Sequence, residues 1–159
     1  MSIVEERPDH EEHIGRIVSG AFGGEAEAAL VSGLRQSRAL AISLVAEIEE
    51  EVCGYIALSR LILPARGLAL APLAVAKPKQ GMGIGSALVL EAATLARQAG
   101  YGIIFALGAP AFYRRFGFKA EVASKFQCRF AGPSFMALEF PEAGVASGFA
   151  RYPSAFDSW

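Results

Sequence analysis

Three glycines at alternate positions, Gly81, Gly83 and Gly85, stand in Lys77-Pro78-Lys79-Gln80-Gly81-Met82-Gly83-Ile84-Gly85-Ser86, between an apolar run at 68–76 and a long apolar run at 83–98. A strand-like run, a glycine loop and a helix-like run constrain the fold: the chain leaves a sheet through a turn that brings bare backbone to a helix entrance. The first helical turn has N–H groups without intrahelical partners, and the helix dipole favours negative charge beside them. The segment therefore reads as an anion cradle, with a tight turn into a packed helix as the alternative.

Two nucleotide templates fail on this loop. A dinucleotide site needs G-x-G-x-x-G; counted from Gly81 the third glycine falls on Ser86, and counted from Gly83 it falls on Leu88. The strand that follows, Tyr101-Gly102-Ile103-Ile104-Phe105-Ala106-Leu107, also lacks the acidic residue that holds a ribose. A nucleoside-triphosphate loop needs Gly-Lys-[Ser/Thr], and no lysine follows these glycines.

Composition narrows the class further. With 53% hydrophobic and 19% charged residues in 159, the chain can bury a real core and reads as one domain, 1–159. Mean hydropathy is +0.35, yet the most apolar stretch, 58–76, is broken by Ser59, Arg60, Pro64, Arg66, Gly67 and Pro72. It falls short of the roughly 18 uninterrupted apolar residues of a membrane span. The opening MSIVEERPDHEE has early acids and no apolar core, unlike a signal peptide. A net charge of −1 argues against a nucleic-acid surface. Cys53 and Cys128 lack metal or redox spacing and read as buried thiols of a cytoplasmic protein; His10 and His13, placed on one early helix, have no companions that complete a metal site.

The order of elements follows from periodicity. Ile3-Val4-Glu5 opens as a short strand; Asp9 offers an N-cap and Glu12 completes a capping box, followed by a helix with Ile14, Ile17, Val18 and Ala21 on one face and Gly23-Gly24 at its end. A second helix at 25–37 aligns Ala26, Ala29, Leu30 and Leu34. Strands at 42–48 and 52–63 form a hairpin across Glu49-Glu50-Glu51, and a third follows at 68–76 after the Pro64-Ala65-Arg66-Gly67 turn. Pro72, without an N–H, predicts a bulge or an edge there. In the helix at 83–98, Leu88, Leu90, Ala92, Leu95, Ala96 and Ala99 cover most sides and predict a well-buried helix, with Gly100 as the stop. The run 102–107 predicts a parallel or central strand, 110–116 a short proline-initiated helix and 134–140 a final strand. In the irregular 142–159 segment, Phe149, Tyr152, Phe156 and Trp159 are expected to dock on the body.

Gln80-x-x-Gly83-x-Gly85 resembles the Q/R-x-x-G-x-G/A signature of the GNAT superfamily of N-acetyltransferases, and Tyr113-Arg114-Arg115-Phe116-Gly117-Phe118 matches its second signature, Y-x-x-x-G-F. Leu107-Gly108-Ala109-Pro110-Ala111-Phe112-Tyr113 and the residues after it are similar to the Leu-Gly-Asp-Pro-x-Tyr-Tyr-x-Arg-Phe-Gly-Phe segment of the YhbS-like branch. The resemblance spans 3–140. It implies a three-layer α+β fold with a mixed, largely antiparallel central sheet, splayed between its fourth and fifth strands and flanked by helices.

It also implies acetyl-CoA as acyl donor, no metal, and a primary amine on a small molecule or peptide as acceptor, in a monomer or homodimer with no nucleic-acid or membrane partner. Backbone amides from Gln80 or Gly81 through Met82, Gly83, Ile84, Gly85 and Ser86 would hold the pyrophosphate, with Lys77 and Lys79 nearby. Leu73, Ala74 and Val75 would pair with the pantetheine arm, and Gly108, Pro110, Tyr113 and Phe116 would complete the donor site. Tyr113 takes the general-acid position. The general base stays open among Glu47, Glu139, water and backbone. Ala109 and Phe112 depart from the branch's Asp and Tyr, which removes a helix N-cap and a polar contact. A non-catalytic CoA-binding module and a transferase for another acyl group are the alternatives.

Overall fold

The computed structural model describes all residues, Met1–Trp159. In chain order the elements are β1 (Ser2–Glu5), α1 (Glu11–Phe22), α2 (Ala26–Gln36), β2 (Leu40–Ile48), β3 (Glu51–Arg60), β4 (Gly67–Val75), α3 (Ile84–Gln98), β5 (Ile103–Leu107), α4 (Pro110–Arg114), α5 (Ala120–Ala123), β6 (Phe126–Gln127), β7 (Phe135–Glu139) and β8 (Gly148–Phe149). The main sheet has the order β1-β2-β3-β4-β5-β7. Only β4 and β5 run parallel within it, because α3 carries the chain back across one face before β5 begins.

Alternation along the strands builds one core cluster on one face of the sheet and two on the other. Leu44 and Ala46 of β2, with Ile104 and Ala106 of β5, face Leu88 and Ala92 of α3. Val45 turns the other way, onto Ile14 and Val18 of α1. Ile103 and Phe105 likewise face Leu30 and Leu34 of α2 and Phe156 from the C-terminal segment. The result is the three-layer α+β arrangement, with helices on both faces of the sheet. No helix is long and apolar enough to cross a membrane.

Several expectations are corrected. Asp9 does not cap α1: Pro8 starts a 3-10 turn over Pro8–His10, and Asp9 pairs with Arg7 at 3.1 Å. Proline pre-sets the first turn's φ, so winding begins a residue early. His10 thus lies in that turn and not on the helix with His13; it is buried, and its Nδ1 accepts the Arg7 N–H at 3.0 Å. The α3 helix is not covered all round, since it lies on one face of the sheet and buries the stripe of Ile84, Leu88, Val89, Ala92 and Ala96. Leu90 is 57% exposed, and Ala99 is exposed too. The C-terminal region adds α5 and the short parallel pair β6–β8, too brief to leave a period in the sequence. Phe149 sits on β8 at 58% exposure and does not dock, whereas Phe156 is buried and Tyr152 packs edge-on against it at 5.0 Å.

Candidate active site

Pro72 opens the sheet. Between β3 and β4 the register passes from Ile56↔Leu73 to Leu58↔Leu70, leaving one extra residue on β4 at Ala71 and Pro72. This is the bulge that the missing N–H predicts. The β4–β5 ladder ends at the same level, at Leu70↔Ala106. Beyond it β4 stays with β3 through Leu73, Ala74 and Val75, while β5 stays with β7 through Leu107↔Phe135. The strands diverge, one edge of β4 loses its partner, and a cleft of about 810 Å³ fills the gap. That volume suits a ligand of cofactor size.

The glycine loop closes one end of this cleft. Gly81 and Gly83 both have φ of +81°, a left-handed conformation that disfavours any side chain. Gln80 Nε2 donates to the Val75 carbonyl at 3.1 Å, which ties the loop back to β4. Its own backbone N–H donates to the Lys77 carbonyl at 3.3 Å, so the free amides begin at Gly81. The first bond into α3 runs from the Ala87 N–H to the Gly83 carbonyl, leaving the amides of Ile84, Gly85 and Ser86 without helical partners. Lys79 and Arg115 line this end; Lys77 does not. Gly54 of β3 lets α3 lie close on the sheet, because a methyl there would meet Ile84 Cγ2 at 2.9 Å and Leu88 Cδ1 at 3.0 Å.

The α4 segment supplies the facing wall. Tyr113 is buried within it, yet lines the cleft together with Gly108, Ala109 and Phe112. Burial pushes the Tyr113 hydroxyl up to about 12. Phe112 reaches across to the loop, where a methyl on Gly85 would touch its Cζ at 3.7 Å. Phe116 supports Phe112 at 5.0 Å without lining the cleft. Pro110 opens α4, and Met82 is 60% exposed; neither side chain lines the cleft. Ala109 occupies the N-cap position of α4 with φ of +43° and no side-chain cap.

The other end of the cleft was not legible in the sequence. Ala21 and Phe22 of α1, Glu27 and Leu30 of α2, Leu107 of β5 and Trp159 form it. Glu27 is the only acidic side chain lining the cleft. Glu47 lies elsewhere, in a depression with Asp9 and His13, its Oε1 3.7 Å from His10 Nε2. Glu139 pairs opposite Ile103, at the far end of β5 from Leu107. A sequence signal for Glu27 would have required knowing which end of α2 meets the parted strands.

Residues 39–120 match the family described as acetyltransferase (GNAT) domain. The "Uncharacterized N-acetyltransferase YhbS" of Escherichia coli (strain K12) is 36% identical over 123 residues, 75% of this chain and 74% of that protein. The "Uncharacterized N-acetyltransferase YjhQ" of the same strain is 34% identical over 120 residues, 70% of this chain and 66% of that one. The crystal structure of E. coli YhbS in complex with CoA superposes with a TM-score of 0.90 at 30% identity, covering 98% of this chain and 91% of that one. A Brucella melitensis GNAT family acetyltransferase in complex with acetyl-CoA gives 0.83 at 33% identity, covering 98% and 97%. Kinship of this extent, on a sheet that parts at the same β4–β5 junction the two signatures imply, means that the chain belongs to the GNAT acetyltransferase family and is an acetyl-CoA-dependent N-acetyltransferase.

Proposed function

We propose that the protein acetylates the primary amine of a small molecule or peptide by direct attack inside the cleft where β4 leaves β5, with Tyr113 assisting departure of the thiol. One observation carries this reading: the glycine loop, with its unpartnered amides, and Tyr113 line the same cleft. The two solved relatives, which hold CoA and acetyl-CoA, support the donor.

When bound, acetyl-CoA supplies an activated acyl thioester. The amides of Gly81 to Ser86 would hold its pyrophosphate, helped by Lys79 and Arg115 as cations at the same end. The free edge of Leu73, Ala74 and Val75 would pair with the amide-bearing arm as an added strand does. Each turnover forms one amide bond, breaks one thioester bond and releases one proton from an ammonium acceptor. Tyr113 keeps its proton at neutral pH, since burial moves it up to about 12. A thiol has a pKa near ~8.5, so full transfer from so weak an acid is uphill. Its Oη therefore acts by donating a hydrogen bond as charge grows on the sulfur. Two free cysteines, Cys53 and Cys128, support a reducing compartment such as the cytoplasm.

Calorimetry with acetyl-CoA, paired with a thiol-release assay over a broad amine panel, tests the reading. Saturable binding with amine-dependent thiol release is expected. Binding without release for any amine, or equal turnover with succinyl-CoA in place of acetyl-CoA, would overturn it.

A further inference from the structure

We propose that Glu27 is the acceptor-recognition carboxylate, and that the acceptor is a monocationic primary amine carrying an aryl or bulky alkyl group and no carboxylate. This rests on the acetyl-transfer reading above.

The cleft is polarised along its length. Its cationic side chains, Lys79 and Arg115, line it with the glycine loop, and its one acidic side chain, Glu27, comes from α2 beside the parted strands. Glu27 is half-buried and takes part in none of the ion pairs of the chain. By contrast Glu6 and Glu11 pair with Arg35, Asp9 with Arg7, and Glu142 with Arg97. A carboxylate in a cleft lined mostly by apolar residues, with no cation paired to it, is open to a cationic partner. An ammonium group brought to Glu27 supplies that cation.

The surroundings define what the ammonium is attached to. Phe22 is 47% exposed, Leu107 50% and Trp159 45%, and all three line this same cleft. Such large apolar side chains, grouped and uncovered, favour an apolar partner. Trp159 is held in place, its N–H donating to the Phe156 carbonyl at 3.0 Å and its carbonyl accepting from Arg129 at 3.2 Å. An amino-acid acceptor would set its carboxylate beside Glu27. A polyamine would bring a second ammonium into a cleft with no second acidic side chain.

Steady-state kinetics on the full chain, comparing 2-phenylethylamine with ethylamine, phenylalanine and putrescine, decides the matter. The wild type is expected to favour 2-phenylethylamine in kcat/KM by about ten-fold or more, the scale of one charge-assisted contact or a few buried methylene groups. Glu27→Gln should raise KM for 2-phenylethylamine about ten-fold and narrow the discrimination against phenylalanine, with acetyl-CoA affinity unchanged by calorimetry. Glu27→Asp should restore part of the loss. Wild-type preference for phenylalanine or putrescine, or an unaltered preference in Glu27→Gln, would overturn the assignment while leaving acetyl transfer intact. Acetyl-CoA binding with no thiol release for any amine would instead overturn the transfer reading, and this inference with it.

Discussion

The Arg115 guanidinium donates a hydrogen bond to Ser86 Oγ at 3.3 Å while lying over the rings of Phe112 and Phe116, at 5.6 and 5.5 Å. This contact joins the first turn of α3 to the end of α4, and so joins the two signature segments. An exposed contact of this kind contributes little to folding, but a guanidinium beside the proposed phosphate cradle would strengthen anion binding. Arg115→Ala should weaken acetyl-CoA binding by roughly three- to ten-fold and flatten its salt dependence. Titration calorimetry at two ionic strengths checks this, with the melting temperature expected to stay nearly constant.

Gly83 lies in the loop proposed to hold the donor's pyrophosphate. Its φ of +81° penalises any Cβ, although no protein atom lies within 4 Å of one. Gly83→Val should therefore cost about 1–2 kcal/mol in stability for the left-handed backbone, and should also abolish acetyl-CoA binding. Chemical denaturation and calorimetry separate the two effects. Intact binding would contradict the cradle assignment.

Tyr113→Phe should lower kcat for thiol release by about ten- to a hundred-fold while sparing acetyl-CoA affinity, on the scale of one donor lost from a reacting centre. Because burial raises the hydroxyl up to about 12, the group stays protonated below that value and is lost as a donor only as pH rises toward it. The ratio of wild-type to variant rates should accordingly stay flat between pH 6 and roughly 10. A ratio that collapses across that window would indicate another acid.

Gly54 sets the height of α3 above the sheet. Gly54→Val drives carbon atoms into Ile84 and Leu88, whose nearest atoms already stand at 2.9 and 3.0 Å from a single added methyl. Overpacking of this kind costs about 1–3 kcal/mol. Since Ile84 opens α3 directly after Gly83, weaker acetyl-CoA binding should accompany the lower melting temperature.

Ala109 holds a left-handed conformation at φ of +43° without capping α4. Ala109→Asp puts there a residue that tolerates this conformation and whose oxygen can accept a first-turn N–H. Stability should rise by about 1 kcal/mol, a shift of about 2–4 °C in a thermal melt.

The features most legible in the sequence were local. Glycine spacing before an apolar helix announced the loop, alternation announced the strands, and Pro72 announced the bulge at which the sheet parts. Each is written into a few consecutive residues, because φ restrictions and periodicity act over one or two turns. The amphipathic placement of α3 was misread from its many alanines and leucines, since only the sheet beneath it decides which stripe is covered.

The identity of the cleft's carboxylate was a tertiary matter altogether. Glu47, Glu139 and Glu27 are alike in type, and Glu47 and Glu139, set in apolar strands, are the two carboxylates the sequence leaves open as a general base. Glu27 alone reaches the cleft, because α1 and α2 cover the face where β4 swings away from β5, and Glu47 and Glu139 point their strands' positions elsewhere. The sequence by itself thus pointed to the donor, through the resemblance carried by two signature segments, Gln80 to Gly85 and Tyr113 to Phe118, each written in a few consecutive residues. Only the tertiary structure decided which side chains line the end of the cleft proposed for the acceptor, because that surface is assembled from α1, α2, β5 and Trp159, segments far apart in the chain that share no local pattern.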